Sequence, residues 1–207
     1  MKFRWPDDPN RITADFLKRL DGSYPPGTFV GEKKWDDFRR PAYKEGGQWT
    51  FHAKRNEFAS RLPPPDLVRE LETLDLSDGT ALDMGWVGPR DVFKVLKGRN
   101  FFVAWDLIFW QGEWQGAVPF SQRHANLSTI LGMAKAKAGN AAERILVATP
   151  VSGHLFKLFE EQKQDPLSEG IVVRKADSGL VGGWSGPTKN SAWFKAKYRD
   201  IKEPTAF

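Results

Sequence analysis

An α+β domain is the fold class this sequence predicts, on three observations. Helix-type and strand-type segments follow one another in the order α, β, β, α, β, β, α, β, α, β, β, which is not the regular βαβ series of a doubly wound sheet. The 207 residues hold no repeat, no low-complexity linker and no compositional break, which makes 1–207 a single domain with a sizeable core. One segment, Phe101–Phe109, is almost wholly apolar, as a strand covered on both faces would be.

The elements follow from periodicity and punctuation. Ile12, Phe16, Leu17 and Leu20 recur at helical spacing and predict a helix over Ile12–Leu20. Thr28–Lys34 and Trp49–Ala53 read as strands. Pro63-Pro64-Pro65 opens a second helix, Asp66–Leu74. Val92–Leu96 and Phe101–Phe109 are the next strands, followed by a helix over Gln122–Lys135, a strand over Arg144–Ala148 and a helix over Ser152–Gln162. The chain closes with strands Gly170–Lys175 and Ala192–Tyr198, joined through a mobile, glycine-rich loop at Gly179–Gly186.

Composition excludes several chemistries. With no cysteine there is no disulfide framework, thiolate-bound zinc, iron–sulfur cluster or thiol nucleophile. His52, His124 and His154 are too far apart for a HxxxH-type metal site. No apolar run reaches the ~20 residues of a membrane span, and the start lacks a signal-peptide core of roughly 7–15 apolar residues, so a cytoplasmic protein without membrane contact is expected. P-loop, Rossmann and nucleophile-elbow glycine patterns are absent. The adjacent acids Asp7-Asp8, Asp36-Asp37 and Glu160-Glu161 point in divergent directions, so as pairs they read as solvated surface or caps. A net charge of +5 suits a phosphate-bearing partner, because Lys and Arg neutralise phosphates and release counterions. Nine Trp and fifteen Phe add rings that can stack on bases or simply fill a core.

Three segments concentrate charge in apolar strands. In Trp193-Phe194-Lys195-Ala196-Lys197, alternation puts Trp193, Lys195 and Lys197 on one face and Phe194 and Ala196 on the other. Two neighbouring ammonium groups make a clamp for an anion, or else a solubilising edge. In Glu169-Gly170-Ile171-Val172-Val173-Arg174-Lys175 a carboxylate enters an apolar strand beside a glycine that permits close backbone approach, an arrangement open to a divalent cation or to an exposed acid. In Glu32-Lys33-Lys34-Trp35-Asp36-Asp37-Phe38-Arg39, continued alternation places Glu32, Lys34 and Asp36 on one face, which is a site or a solvated charge run.

Together these segments resemble the motif series ExKxDGxR, FDh, EGhVhK and WhKhK (h, apolar) of the nucleotidyltransferase domain of ATP-dependent polynucleotide ligases and mRNA capping enzymes. The first is Glu32–Arg39, an arginine motif follows at Lys54-Arg55-Asn56, and FDh is Phe102-Val103-Ala104-Trp105-Asp106-Leu107-Ile108. Gln111-Gly112-Glu113 and Pro119-Phe120-Ser121-Gln122-Arg123 are similar to a turn and helix entry of DNA ligases, and Glu169–Lys175 and Trp193–Lys197 complete the order.

The resemblance, over about residues 28–200, implies an ATP-grasp-like α+β fold of two antiparallel sheets flanked by helices, with the nucleotide between them. It implies that Lys34 attacks the α-phosphorus of ATP, forms a lysyl–AMP phosphoramidate and releases pyrophosphate. Arg39, Lys195, Lys197 and Mg2+ (or Mn2+) would lower the lysine pKa from roughly 10.4 and supply the neutral amine. Lys33 is the competing nucleophile, disfavoured by the motif spacing. Glu32 belongs to the ATP site, Trp105 stacks on adenine, Glu169 holds the metal, and Lys195 and Lys197 clamp the α-phosphate. Arg55 meets the ribose or a 5′-phosphate, and Arg39 and Arg55 face nucleic acid. The partner implied is nicked duplex DNA, whose 5′-phosphate receives AMP before a 3′-hydroxyl displaces it.

Three departures stand out. Asp37 replaces the motif glycine, and an aspartate tolerates a left-handed backbone better than most residues. In Leu82-Asp83-Met84-Gly85-Trp86-Val87-Gly88, Gly85 stands where the family has a ribose-contacting glutamate, so Asp83 or another acid would have to substitute. Finally, neither an OB-fold domain nor an N-terminal DNA-binding domain fits in the sequence; a monomer is expected, with a separate protein able to supply the closing domain. An RNA ligase, a capping-type guanylyltransferase and a non-catalytic nick- or nucleotide-binding module are the alternatives.

Overall fold

The computed structural model describes residues 3–53, 62–88 and 99–198. The Val92–Leu96 strand and Arg55 lie outside the described residues. Two sheets face each other, each covered on its outer side by helices. The first has five strands in the order β1-β12-β11-β2-β10: β1 (Asp8–Arg11), β12 (Lys189–Lys197), β11 (Ser168–Lys175), β2 (Phe29–Trp35) and β10 (Val151–Ser152). The second runs β5-β4-β6-β7-β8: β5 (Gln48–Phe51), β4 (Ala42–Glu45), β6 (Ala81–Val87), β7 (Phe101–Trp110) and β8 (Glu113–Trp114). In addition, β3 (Asp37–Arg39) pairs with β6, and β9 (Ile145–Val147) pairs with β7. The pairing is antiparallel except for β1 with β12 and β9 with β7.

Helix α1 (Ala14–Ser23) begins where the Thr13 hydroxyl accepts from the Phe16 N–H at 3.3 Å. Helix α4 (Leu155–Gln162) starts three residues later than its periodicity predicts, because Val151 and Ser152 pair with β2. Its first N–H groups, on Leu155 and Phe156, donate to the Asp21 carboxylate at 2.8 and 2.9 Å, so α1 caps α4. These two helices cover the first sheet: Leu17, Leu20, Leu155 and Phe159 pack on Phe29, Ile171, Val173 and Ala196. Helices α2 (Pro65–Glu72) and α3 (Phe120–Ala138) cover the second, with Leu67, Leu71, Leu127 and Leu131 against Met84, Phe102 and Ala104. The helix-facing sides are apolar, while the inner side of the second sheet mixes apolar residues such as Val87, Val103 and Trp105 with charged ones. Among the described residues no helix is long and apolar enough to cross a membrane.

Several expectations change. Asp36 is a bend after β2 rather than a third residue on the face of Glu32 and Lys34, and Asp37 is extended strand, so its position requires no left-handed backbone. Asp7 is fully buried instead of solvated, since its carboxylate accepts from Val181 N, Gly182 N and Asn190 Nδ2 at 3.0, 2.6 and 2.6 Å. That carboxylate ties down the Gly179–Gly186 loop.

Candidate active site

A cavity of about 120 Å³, open to solvent, lies between the inward faces of the two sheets. Strands β2, β11 and β12 supply one wall and strands β3 and β7 the other. As alternation predicts, Trp193 and Lys195 line it while Phe194 and Ala196 face the helices. Glu32, Lys34, Arg39, Trp105 and Lys195, all singled out in the sequence, come together around this space.

Two β-bulges aim key side chains. Between β11 and β2 the register passes from Ser168↔Trp35 to Gly170↔Lys34, leaving Glu169 as the extra residue. Its Oε2 lies 2.8 Å from Lys34 Nζ and 2.5 Å from Lys197 Nζ. Gly170 next to it has φ +140°, and a Cβ there would come within 1.9 Å of the Ala196 carbonyl oxygen, so β11 and β12 can meet at this point only through a glycine. Burial raises the Glu169 pKa, but the two ammonium groups outweigh it and hold it down to about 2. The second bulge leaves Trp105 unpaired between Asp83↔Asp106 and Met84↔Ala104, and turns its ring to the cavity.

The cations are not bare. Arg39 makes a two-pronged pair with buried Asp83 at 2.8 and 2.5 Å and donates to the Asp7 carbonyl at 2.8 Å. Although burial works against it, Asp83 raises the Arg39 pKa. Lys195 reaches Asp8 at 3.3 Å, an acid the sequence reading placed on the surface. Burial lowers the Lys195 pKa, opposed by Asp8 and reinforced by Lys189 and Lys34. Lys33 turns instead to Asp165 at 2.5 Å, with its ammonium 3.5 Å from the centre of the Trp35 ring.

Behind the cavity sits a buried charge network that sequence reasoning missed. Arg174, 2% exposed, is sandwiched between Phe120 and Trp193 with its guanidinium 4.4 and 4.2 Å from the ring centres. It donates to the Trp105 carbonyl at 3.1 Å and approaches Glu32 at 3.4 Å and Asp106 at 3.6 Å. Asp106 takes both prongs of Arg123 at 2.9 and 3.0 Å, so the aspartate of FDh and the arginine of the Pro119–Arg123 stretch are partners. Charged residues in otherwise apolar strands were the available signal. Glu32 is 3% exposed; burial raises its pKa to about 7, opposed by Arg174 and reinforced by Asp106 and Asp83. The His124 Nε2 donates to the Ala148 carbonyl at 2.8 Å, since a carbonyl can only accept, and lies 3.9 Å from Glu32.

No family model matches the sequence, and no curated protein matches it. Solved structures do. Mycobacterial DNA ligase D complexed with ATP and MES superposes with a TM-score of 0.62 at 17% identity, over 92% of this chain and 60% of that one. The ATP-dependent DNA ligase from bacteriophage T7 in complex with ATP gives 0.63 at 13% identity, over 93% and 68%. Chlorella virus DNA ligase-adenylate gives 0.56 at 15% identity, over 96% and 70%. This chain therefore spans three fifths of the length of the mycobacterial ligase chain it matches. Two facing sheets flanked by helices are thus the fold this chain shares with these DNA ligase structures.

Proposed function

We propose that this chain is the catalytic core of an ATP-dependent DNA ligase. The observation that carries this reading is the setting of Lys34: a primary amine at the wall of a cavity that also presents an aromatic ring, Trp105, and a cation, Lys195. A ring and a cation at two places in one cavity suit the base and the phosphates of a nucleotide. Lys34 Nζ attacks the α-phosphorus, the bond to pyrophosphate breaks, and one proton leaves the amine to give lysyl–AMP. Glu169, hydrogen-bonded to Lys34, orients the amine, and the proton the amine loses passes to solvent. Lys195 and Lys197 stabilise the charge spread over the phosphoryl oxygens.

Magnesium fits this site as part of the bound nucleotide. Among the described residues no group of three His, Asp or Glu could hold an ion alone. Glu169 is the carboxylate that would hold Mg2+ together with the phosphates of the nucleotide. When bound, the ion neutralises charge on the phosphates and the leaving pyrophosphate.

In the second half of the reaction, the 5′-phosphate of a nick attacks lysyl–AMP and frees Lys34, and the adjacent 3′-hydroxyl then displaces AMP. The Pro119–Arg123 stretch, similar to a helix entry of DNA ligases, and the DNA ligase structures compared above favour DNA over RNA. Incubation with ATP, Mg2+ and a singly nicked duplex should convert nicked DNA to sealed product on a denaturing gel. Sealing of nicked RNA alone, labelling by GTP in place of ATP, or binding of nicked DNA without any product would contradict this assignment.

A further inference from the structure

We propose that Asp8 is a positioning residue that competes with the nucleotide's phosphates for Lys195 and hands that lysine over when they bind; this rests on the nucleotide-site reading above. The observation is one carboxylate shared between two lysines, one oxygen to each. Asp8 Oδ1 lies 3.3 Å from Lys195 Nζ, and Oδ2 lies 2.9 Å from Lys189 Nζ. Asp8 and Lys195 both line the cavity, each with 15% of its side chain exposed. Lys189 stands outside that lining with 56% of its side chain exposed. The carboxylate therefore has an inner cation that faces the site and an outer one that faces solvent.

Strand pairing makes this arrangement. Both lysines belong to β12, and β1 runs parallel beside it. The register passes from Pro9↔Asn190 to Asn10↔Phe194, so Ser191–Trp193 fall out of step and Lys189 and Lys195 reach the same carboxylate. The backbone is pinned on both sides of Asp8: its N–H donates to the Thr188 carbonyl at 2.8 Å, and the Ile12 N–H donates to the Lys195 carbonyl at 3.0 Å. Exchange of partners at Lys195 thus needs side-chain rotation alone. Glu169 already serves Lys34 and Lys197, whereas Lys195 takes its anion from β1. A phosphate oxygen and Asp8 want the same ammonium, and two anions on one cation repel each other. Lys189 resolves the conflict by keeping Asp8 when phosphate takes Lys195. Asp8 therefore governs how tightly phosphates are held, without bearing on the base or the sugar.

The experiment is equilibrium binding of ATP and of adenosine to the full chain, read by titration calorimetry in EDTA so that no chemistry follows binding. A charge-assisted hydrogen bond is worth about tenfold or more in affinity. Asp8→Asn, which no longer competes for Lys195, should therefore bind ATP about tenfold more tightly than wild type. Adenosine, which has the base and sugar but no phosphate, should bind both proteins alike. Asp15→Asn removes the same charge from exposed helix α1 and should leave ATP affinity unchanged. A crystal structure of wild type with ATP carries the test if Asp8→Asn does not fold: it should place Lys195 Nζ on a phosphate oxygen and Asp8 on Lys189. Unchanged or weaker ATP binding by folded Asp8→Asn, an equal gain for adenosine or in Asp15→Asn, or Lys195 still on Asp8 in the ATP complex overturns the role of Asp8 and leaves the nucleotide site standing. If neither wild type nor Asp8→Asn binds either ligand, the site itself is overturned, and this assignment with it.

Discussion

Lys34 and Lys197 share one oxygen: Oε2 of Glu169 lies 2.8 Å from the first ammonium and 2.5 Å from the second. One carboxylate thus holds two cations from different strands. Because its pKa falls from the ordinary 4.5 to about 2, the stabilisation is fully present above pH ~4.5 and is lost as pH falls toward ~2. Urea denaturation across that window should show wild type losing its advantage over Glu169→Gln. A stability difference independent of pH would contradict the assigned partnership.

Glu32 gives the opposite sign. Its pKa is raised from 4.5 to about 7, so the folded protein holds a proton the unfolded chain releases. Stability therefore declines as pH rises from ~4.5 to ~7, then levels off with respect to this group. Glu32→Gln should flatten that decline, measured as the unfolding midpoint of both proteins at half-unit pH steps.

Arg123 and Asp106 are both fully buried and pair at two points. Removing one partner strands the other charge in the interior, so Arg123→Ala should cost about 3–5 kcal/mol. Asp106→Asn with Arg123→Met in one chain should cost clearly less than the sum of the single changes. Denaturant unfolding of the four proteins completes the cycle.

What was legible in the sequence depended on locality. The alternation in Trp193–Lys197 places its side chains correctly because period 2 needs no knowledge of the neighbouring strands. The helices were found within a few residues for the same reason. Strand β1, Asp-Pro-Asn-Arg, carries no apolar pattern and exists because it pairs with β12 from the far end of the chain. The bulges at Trp105 and Glu169 are set by partner register, which the strand's own residues do not encode. Asp7 looked like surface because its acceptors are satisfied by a loop 174 residues away. The motif residues were recognisable individually; the pairings Arg39–Asp83, Lys195–Asp8 and Arg123–Asp106 required the fold.

Gly170 tests the seam that carries Glu169 and Lys197. With φ at +140° and the Ala196 carbonyl 1.9 Å from the position of a Cβ, Gly170→Ala must part β11 from β12. It should destabilise the protein by more than about 1 kcal/mol and weaken ATP binding as well. Gly132→Ala is the control: nothing lies within 4 Å of its Cβ position and it sits in the interior of α3, so it should stabilise by about 0.5–1 kcal/mol rather than destabilise.

The most direct test of the central claim is intact-mass spectrometry after incubation with ATP and Mg2+. Wild type and Lys33→Ala should each gain one adduct of about 329 daltons, the mass of AMP less water in a phosphoramidate, whereas Lys34→Ala should gain none. Wild type without the adduct, or an adduct that survives Lys34→Ala, would contradict the account.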